Sequence, residues 1–316
     1  MRRRNERFPS MLSPHNFWPA RNFAALDSAL CAFETARFVV VPVPYDATTT
    51  WRGGTREGPQ AIIDASMNME TFDPELKREI CDAGIHTTPE VEPVAKSPEA
   101  MAVRVTEVIG QVLFAGKIPI MLGGEHSITF GAVCAALKMD LKGPLSVLQL
   151  DAHTDLRESY GGSRFGHGNV ARRMSELPGV QITQVGLRST SFDEFHSVPS
   201  NVTQFWCEDV LRDFPQSLEA IIESLGDNVY ISFDVDACDP SWIPDTGTPE
   251  PGGLSFYQVR DILRLVCARR RVVGMDCVEL IGGHPASAFA VARLLYKTMG
   301  YLSDGDAASS EASRGG

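Results

Sequence analysis

The feature that most constrains this chain is a short run in which a hydrophobic strand ends in three potential metal ligands. Residues 146–150 (SVLQL) are typical of a buried strand, and Asp151, His153 and Asp155 follow it directly. Successive side chains of an extended chain point to opposite faces, so residues two apart share a face. The three side chains are therefore predicted to lie together at one strand end, which a helix would not achieve at this spacing.

Two further strands repeat the arrangement. Residues 228–236 (NVYISFDVD) end in Asp234 and Asp236, which again lie two apart. A third apolar run, 118–122, leads into GGEHS and places His126 just past a strand end. Each of these side chains alone would be an ordinary cap or turn residue. Six of them at the ends of three apolar strands predict a site for two metal ions.

Strand and helix patterns alternate along the chain, which predicts a three-layer α/β/α fold with a mostly parallel sheet. In such sheets functional residues gather beyond the carboxyl ends of the strands, where the six candidate ligands and Glu279 occur. Strands are predicted at 37–44, 81–87, 118–122, 146–150, 182–187, 205–207, 229–235 and 272–279. Helices are predicted from near Pro59 and at 98–115, 128–138, 192–196, 215–225, 256–270 and 287–301.

Neither a repeat nor a linker divides the chain, so residues 17–302 are predicted to form a single catalytic domain. Residues 1–16 are basic and rich in residues that break secondary structure, and we expect a flexible N-terminal arm there. Residues 303–316 are small and polar, which predicts a disordered tail. The prolines of the first strand favour an edge position for it in the sheet.

Composition narrows the class of protein. With 43% hydrophobic and 22% charged residues the chain is typical of soluble globular proteins. A formal charge of −11 argues against a nucleic-acid surface and weakly favours cationic substrates. Seven scattered cysteines without a CxxC pair indicate reduced thiols. No secretory signal and no membrane span is recognisable, so a cytoplasmic location is expected.

The sequence blocks GGEHS, DAHTDL and SFDVDACDPSWIPDTGTPEPGGLS resemble the three signature blocks of the ureohydrolases, the arginase and agmatinase family. The resemblance extends from about Val39 to Tyr301. It implies the arginase-like α/β fold, two Mn²⁺ ions per subunit, and hydrolysis of a small cationic guanidino compound to urea and an amine. It also implies a homo-oligomer, either a trimer or a hexamer.

The same resemblance assigns the metal ligands. Oxygen-rich ligation with two imidazoles suits a borderline-hard divalent ion. Four aspartates balance two divalent ions in charge, and a site of net charge near zero leaves room for a bridging hydroxide. Metal binding would lower the pKa of that water from about 15.7 toward about 7 or 8 and create a nucleophile at neutral pH. The implied manganese ligands are His126, Asp151, His153, Asp155, Asp234 and Asp236.

Hydrolysis of a guanidinium group requires further side chains. Its carbon is a poor electrophile, so the reaction needs a carboxylate to hold the cation and a proton donor for the leaving amine. Glu279 matches the guanidinium-binding glutamate of the family, and Asp155 would act as both ligand and proton relay. His167 matches, by its place in the loop after DAHTD, the mobile acid/base histidine. The alternatives are a solvated strand-end glutamate and a surface-loop histidine.

The residue two positions after the last aspartate of DAHTD restricts the choice of substrate. The arginase pattern has asparagine there, whereas this chain has Arg157, which disfavours arginine. The strings DLRESYGGSRFGHGNVARR, TTTWRGGTREGP and TGTPEPGGL resemble the agmatinase type and favour conversion of agmatine to putrescine and urea. As an alternative, Arg157 could pair with the carboxylate of guanidinobutyrate, guanidinopropionate or formiminoglutamate, although a structural role is favoured.

Two other functions are disfavoured. A non-catalytic subunit would be expected to lack a metal ligand, and none of the six is lost. A two-metal phosphoesterase would need basic residues around the metal loops, whereas loop 239–253 carries only acidic charges.

After Glu279, the sequence LIGGHPASAF lacks an acidic residue that relatives often have, which leaves recognition of the far end of the substrate open.

Overall fold

The computed structural model describes residues 21–314, and the side chains of residues 21–303. The predicted flexible arm, residues 1–16, lies outside the described residues. The strands are β1 (Phe38–Val43), β2 (Phe72–Asp73), β3 (Arg78–Glu79), β4 (Ile85–Thr87), β5 (Ile118–Gly123), β6 (Leu145–Leu150), β7 (Val180–Leu187), β8 (Val202–Trp206), β9 (Asn228–Asp234) and β10 (Arg271–Val278). The helices are α1 (Gly58–Ser66), α2 (Pro98–Phe114), α3 (Thr129–Ala136), α4 (Val170–Ser175), α5 (Phe192–His196), α6 (Cys207–Arg212), α7 (Phe214–Glu223), α8 (Phe256–Arg269) and α9 (Pro285–Arg314).

Eight strands form one sheet in the order β4-β1-β5-β10-β9-β6-β7-β8. Every neighbouring pair in it is parallel, which confirms the predicted α/β class. The pair β2-β3 is a separate antiparallel hairpin that the sequence did not predict. With two residues per strand, it is too short to carry a periodic pattern.

Both faces of the sheet are buried. On β1, Phe38 and Val40 pack into a core cluster that includes residues of α1, α7, α8 and α9. Val39 and Val41 point the other way, into a cluster formed with residues of α2, α3 and α4. A strand covered on both faces needs apolar residues at successive positions, which explains the unbroken hydrophobic runs.

The edge position predicted for the first strand is wrong, because β1 pairs with β4 on one side and β5 on the other. Pairing with β4 covers only Phe38–Val40, so β4 has ended where Pro42 lies. The carbonyl of Pro42 instead accepts from the backbone amide of Val91, and no ladder bond is lost through the missing N–H of proline.

The last helix is longer than predicted. The sequence predicts an end near Tyr301 followed by a disordered tail, but the backbone of 303–314 continues α9 to Arg314. Alanine is the best helix former, and no proline interrupts this segment. A polar composition therefore did not exclude a helix here.

The topology brings the candidate ligands together. The strands β5, β10, β9 and β6 are consecutive neighbours near the middle of the sheet. Asp151 follows β6 and Glu279 follows β10, while Asp234 is the last residue of β9 and His126 lies three residues after β5. Because the strands are parallel, these residues share one edge of the sheet.

All seven cysteines fall within the described part of the chain and are free thiols there. Cys238 packs in the hydrophobic core, and burial raises the pKa of its thiol. Between residues 21 and 314, no helix combines the length and the apolar character that a bilayer crossing demands.

Candidate active site

A cavity of about 240 Å³ opens at the carboxyl edge of the sheet. Asp151 is fully buried and contacts two of the imidazoles of the cavity wall, those of His126 and His153. The structure thus brings all eight predicted site residues together. The other seven line the cavity: His126, His153, Asp155, His167, Asp234, Asp236 and Glu279.

One group of potential ligands surrounds the imidazole of His126. Its Nδ1 lies 3.2 Å from Oδ2 of Asp151, 3.3 Å from Oδ2 of Asp155 and 3.2 Å from Oδ2 of Asp234. The ring is 1% exposed, so water does not separate these groups. Three carboxylate oxygens around one imidazole nitrogen form a donor set suited to a divalent ion.

A second group lies beside the first and shares Asp151 with it. The Nδ1 of His153 is 2.8 Å from Oδ2 of Asp236 and 3.8 Å from Oδ1 of Asp151. The two oxygens of Asp151 therefore face different imidazoles, Oδ2 toward His126 and Oδ1 toward His153. A carboxylate shared in this way is the geometry that a two-metal centre with a bridging ligand requires.

The hydrogen bonds behind His126 provide a test of whether a metal fits. The Nε2 of His126 lies 2.9 Å from the hydroxyl of Ser232, which in turn donates to Oδ1 of Asp276 at 2.9 Å. Since Ser232 has one hydrogen and gives it to Asp276, it accepts from Nε2–H. The Nδ1 atom then carries the lone pair, and it is a buried atom without a hydrogen-bond partner. A cation is needed between this lone pair and the carboxylates, so the residues fit a metal ion.

The pKa shifts in the first group also result from the crowding of carboxylates around His126. Burial acts to lower the pKa of His126, but the carboxylates of Asp151, Asp155 and Asp234 that face Nδ1 together outweigh it and raise this pKa well above its ordinary value. Burial, together with repulsion from Asp155 and Asp236, raises the pKa of Asp151 to about 7. Excess negative charge is packed around the imidazoles, and a pair of divalent ions would neutralise it.

His153 and Asp236 are shifted as an ion pair. Burial acts to lower the pKa of His153, but the charge and hydrogen bond of Asp236, together with the charges of Asp151 and Asp155, outweigh it and raise the pKa to about 11. Burial acts to raise the pKa of Asp236, but the charge and hydrogen bond of His153, together with the backbone amide of Ala152 and the charge of Arg188, outweigh it and lower the pKa to about 2. Strongly shifted groups in a cleft are characteristic of functional sites.

Two of these residues have unusual backbone conformations. Asp155 has φ of 50° and Glu279 has φ of 67°, in the left-handed region that non-glycine residues rarely adopt. The carbonyl of Asp155 accepts from the amide of Arg172, and the amide of Glu279 donates to the carbonyl of Gly124. The surrounding structure thus holds both residues in strained positions, as is common at active sites.

Glu279 combines an anchored oxygen with a second one that faces the cavity. Its Oε1 accepts from the backbone amide of His126 at 2.7 Å. A Cβ atom built on Gly247 would lie 3.9 Å from Oε2, so the glycine leaves open space beside that oxygen. Burial raises the pKa of Glu279 to about 8. A guanidinium cation bound in this space would favour the ionised carboxylate.

His167 contacts side chains of the loop that follows β1. Its Nδ1 is 3.2 Å from the hydroxyl of Thr48, and its Nε2 is 2.8 Å from the hydroxyl of Thr50. The ring of Tyr160 packs edge-on against it with centroids 5.6 Å apart. His167 is therefore held in the cavity wall, unlike a histidine of a solvated surface loop. These partners could not be predicted from the sequence.

Arg157 lines the cavity mouth but has partners within the protein. Its Nε donates to Oε2 of Glu194 at 3.2 Å, and its guanidinium lies 4.6 Å from the centroid of the Tyr160 ring. Glu194 also accepts from the hydroxyl of Thr154 and the amide of Leu156. These contacts anchor the chain next to Asp155 and agree with the structural role favoured for Arg157.

Sequence reasoning missed Glu194, Ser232 and Asp276. A buried acid such as Asp276 inside the apolar strand β10 is a recognisable signal, because a buried carboxylate needs partners. Glu194 offers no such signal, since it lies in a separate helix about 40 residues from the chain that it anchors.

A parallel α/β fold with a paired His/Asp cluster at the strand ends defines a class of metal-dependent hydrolases. Residues 36–300 match the model of the Arginase family, and the chain belongs to that family. Its predicted resemblance to the ureohydrolases is confirmed, as is the prediction of an amidinohydrolase.

Individual relatives are similar over nearly the whole chain. The N(1)-aminopropylagmatine ureohydrolase of Synechocystis sp. is 35% identical over 92% of this chain and 97% of its own. The agmatinase of Pyrococcus horikoshii is 34% identical over 84% of this chain and 92% of its own. The solved agmatine ureohydrolase of Thermoplasma volcanium superposes with a TM-score of 0.82 at 32% identity, covering 92% of this chain and 96% of that one.

Proposed function

We propose that this protein hydrolyses agmatine to putrescine and urea, with two Mn²⁺ ions bound per subunit. The observation that carries the proposal is the pair of His/Asp groups sharing Asp151, with Glu279 at the same cavity. The proposed ligands are the six residues that the sequence predicts, divided between the two groups. Manganese is favoured over zinc because carboxylate oxygens dominate and no thiolate takes part.

The guanidinium group would bind against Glu279. Its free Oε2 can accept hydrogen bonds from the cation, while Oε1 stays fixed on the backbone amide of His126. Charge-assisted hydrogen bonds of this type are about twice as strong as neutral ones. Gly247 would leave room for the flat guanidinium group, because any larger side chain at this position would fill the space beside Oε2.

The two bound ions would supply Lewis acidity that lowers the pKa of water and makes it a nucleophile at neutral pH. The water oxygen attacks the guanidinium carbon, and the bond from that carbon to the alkyl-substituted nitrogen breaks. Asp155 would hold the proton that the water loses and pass it to the departing amine. His167, in the wall of the same cavity, would serve as the acid that completes protonation of putrescine. The second proton of the attacking water, lost as the C=O bond of urea forms, would restore the proton that His167 gives up.

N1-aminopropylagmatine is a second candidate substrate. Several similar relatives are named for this activity, at 35 to 38% identity. The cavity mouth includes Trp51, whose side chain is 72% exposed and offers an aromatic face to a further ammonium group. Guanidino acids are less favoured, because the guanidinium of Arg157 already pairs with Glu194.

The test is urea release after loading with Mn²⁺. The panel contains agmatine, N1-aminopropylagmatine, arginine, guanidinobutyrate and guanidinopropionate, with formamide release from formiminoglutamate measured separately. We expect the highest kcat/KM for agmatine. A preference of 100-fold or so for its aminopropyl derivative would favour the second candidate, and turnover of only the guanidino acids would contradict both.

Assembly and location complete the proposal. We propose a homo-oligomer, either a trimer or a hexamer, in the cytoplasm, on the basis of the resemblance to the ureohydrolases. The free thiols of all seven cysteines support a reducing compartment. Light scattering on the purified full chain tests the assembly, since a monomer at all concentrations would contradict it.

A further inference from the structure

We propose that Thr48, held by the buried carboxylate of Glu125, is a positioning residue that fixes the imidazole of His167 with its hydrogen on Nδ1. The Nε2 atom is thereby left as the atom that gives or takes a proton. This inference rests on the proposed function, because it concerns the acid/base histidine of the same site. The chemistry described above assigns no role to Thr48 or Glu125.

Glu125 is an anchor that receives several donors. It is 0% exposed, and its oxygens accept from the amide of Thr48 at 2.5 Å and the hydroxyl of Thr48 at 2.7 Å. The hydroxyl of Ser127 donates to the same carboxylate at 2.5 Å. A buried carboxylate with its partners satisfied in this way holds them rigidly. The loop after β1 is thus tied to the strand end that carries His126.

The direction of the hydrogen bonds follows from the single hydrogen of the Thr48 hydroxyl. Because that hydrogen goes to Glu125, the oxygen is left with lone pairs only and must accept from any further partner. It accepts from the backbone amide of His167 at 3.1 Å. It also lies 3.2 Å from Nδ1 of the same residue, so Nδ1 must carry a hydrogen for this contact to be favourable.

Thr50 accommodates the other ring nitrogen in either state. Its hydroxyl is 2.8 Å from Nε2 of His167 and can donate to a neutral Nε2 or accept from a protonated one by rotation. In the structure this hydroxyl donates to that of Tyr160 at 3.2 Å. Rotation of both hydroxyls reverses that bond when Thr50 donates to a neutral Nε2. Only Thr48 is locked in one role, so it alone selects the tautomer.

Close packing supports the same assignment. A Cβ atom on Gly166 would come within 3.2 Å of the Thr48 hydroxyl oxygen, so glycine allows the chain before His167 to approach Thr48. Tyr160 covers the ring edge-on at an interplanar angle of 86°. The ring is therefore held by backbone, hydroxyl and aromatic contacts together.

The kinetic test compares Thr48→Val, which keeps the side-chain shape and removes the hydroxyl, with Thr48→Ser, which keeps the hydroxyl. We expect Thr48→Val to lower kcat for the best substrate by about 10-fold or more, with KM within about 2-fold. Thr48→Ser should retain kcat within about 3-fold. In a His167→Ala background, Thr48→Val should change kcat by less than about 2-fold.

A structural role of Thr48 would give a different result. If it merely anchored the loop, Thr48→Val would lower kcat by the same factor with or without the imidazole of His167. Equal factors in the two backgrounds would overturn the proposal. Thermal melting of each variant identifies loss of folding, and Thr48→Ala replaces Thr48→Val should the valine variant not fold.

A second measurement does not depend on turnover. The ring nitrogens of His167 are observed by ¹⁵N NMR in the Mn-free full chain and assigned by comparison with His167→Ala. We expect the Nδ1–H tautomer in the parent chain and in Thr48→Ser, and a mixture of tautomers in Thr48→Val. An Nε2–H tautomer in the parent chain, or an unchanged tautomer in Thr48→Val, would overturn the inference even if the enzyme cleaves none of the substrates above. A chain that is inactive on the whole panel but has the expected tautomers would contradict only the proposed function.

Discussion

The backbone amide of His126 donates to the side chain of Glu279 at 2.7 Å, although the two residues are 153 positions apart in the chain. The side chain of His126 faces the candidate metal ligands, while its backbone fixes the proposed guanidinium clamp. Both functions therefore depend on one strand end, that of β5, next to β10 in the sheet. A shift of His126 would be expected to disturb metal binding and substrate binding together.

The first prediction concerns the charge of Glu279. Glu279→Gln keeps the shape of the side chain and an oxygen for the amide of His126 but removes the negative charge that attracts the guanidinium. We expect unchanged manganese content and a fall in kcat/KM of about 100-fold or more, measured by urea release. An unaffected rate would remove the proposed clamp role, and loss of manganese would show that Glu279 belongs to the metal centre.

The second prediction concerns space at Gly247. A Cβ there would lie 3.2 Å from the carbonyl of Arg52 and close to Oε2 of Glu279, so Gly247→Ala narrows the place proposed for the guanidinium. We expect KM to rise by about 5-fold or more, since steric crowding costs about 1 kcal/mol or more. Gly110→Ala in α2 is the matched control, because a Cβ there meets nothing within 4 Å. An unchanged KM in Gly247→Ala would contradict the proposed binding mode.

The third prediction concerns stability away from the site. The ammonium of Lys297 lies 2.8 Å from both Asp73 and Glu75, within a largely buried cluster. Burial acts to raise the pKa of Asp73, but the hydrogen bond and charge of Lys297, together with the backbone amides of Leu76 and Glu75, outweigh it and lower the net pKa. Lys297→Met should therefore cost roughly 3 kcal/mol in the free energy of unfolding at neutral pH, measured by urea denaturation.

The pH dependence of that cost has a defined sign. A carboxyl group whose pKa is lowered in the folded state stabilises the protein above its ordinary pKa, and this stabilisation is lost as the pH falls through the folded-state value. The difference between the parent chain and Lys297→Met should thus shrink from about pH 7 to about pH 3. Arg269→Met is the control, because the Arg269–Glu219 pair is half exposed and solvent screens it. A difference that is constant with pH would contradict the ion-pair interpretation.

Much of the site was predictable because its ligands follow a local pattern. Asp151, His153 and Asp155 alternate at one strand end, and a parallel sheet brings strand ends to one edge whatever the order of the strands. The residues that support the ligands were not predictable in this way. The contacts of Glu194 with Leu156, and of Glu125 with Thr48, depend on how loops fold over the sheet edge.

Backbone conformation was likewise not visible in the sequence. Nothing in the residue types of Asp155 and Glu279 predicts a positive φ, because the surrounding hydrogen bonds impose it. The position of Pro42 was predicted wrongly for a similar reason. Its tolerance inside the sheet depends on where β4 ends, which is a property of a neighbouring strand.

The most direct measurement is the metal stoichiometry of the parent chain and of Asp151→Asn after Mn²⁺ loading, by elemental analysis together with electron paramagnetic resonance. The parent chain should bind two Mn²⁺ ions per subunit with a spin-coupled spectrum, because Asp151 faces both ligand groups. Asp151→Asn should lose at least one ion and the coupling, with urea release falling by about 100-fold or more. One isolated Mn²⁺ per subunit in the fully active parent chain, or two coupled ions in Asp151→Asn, would contradict a centre bridged by this aspartate.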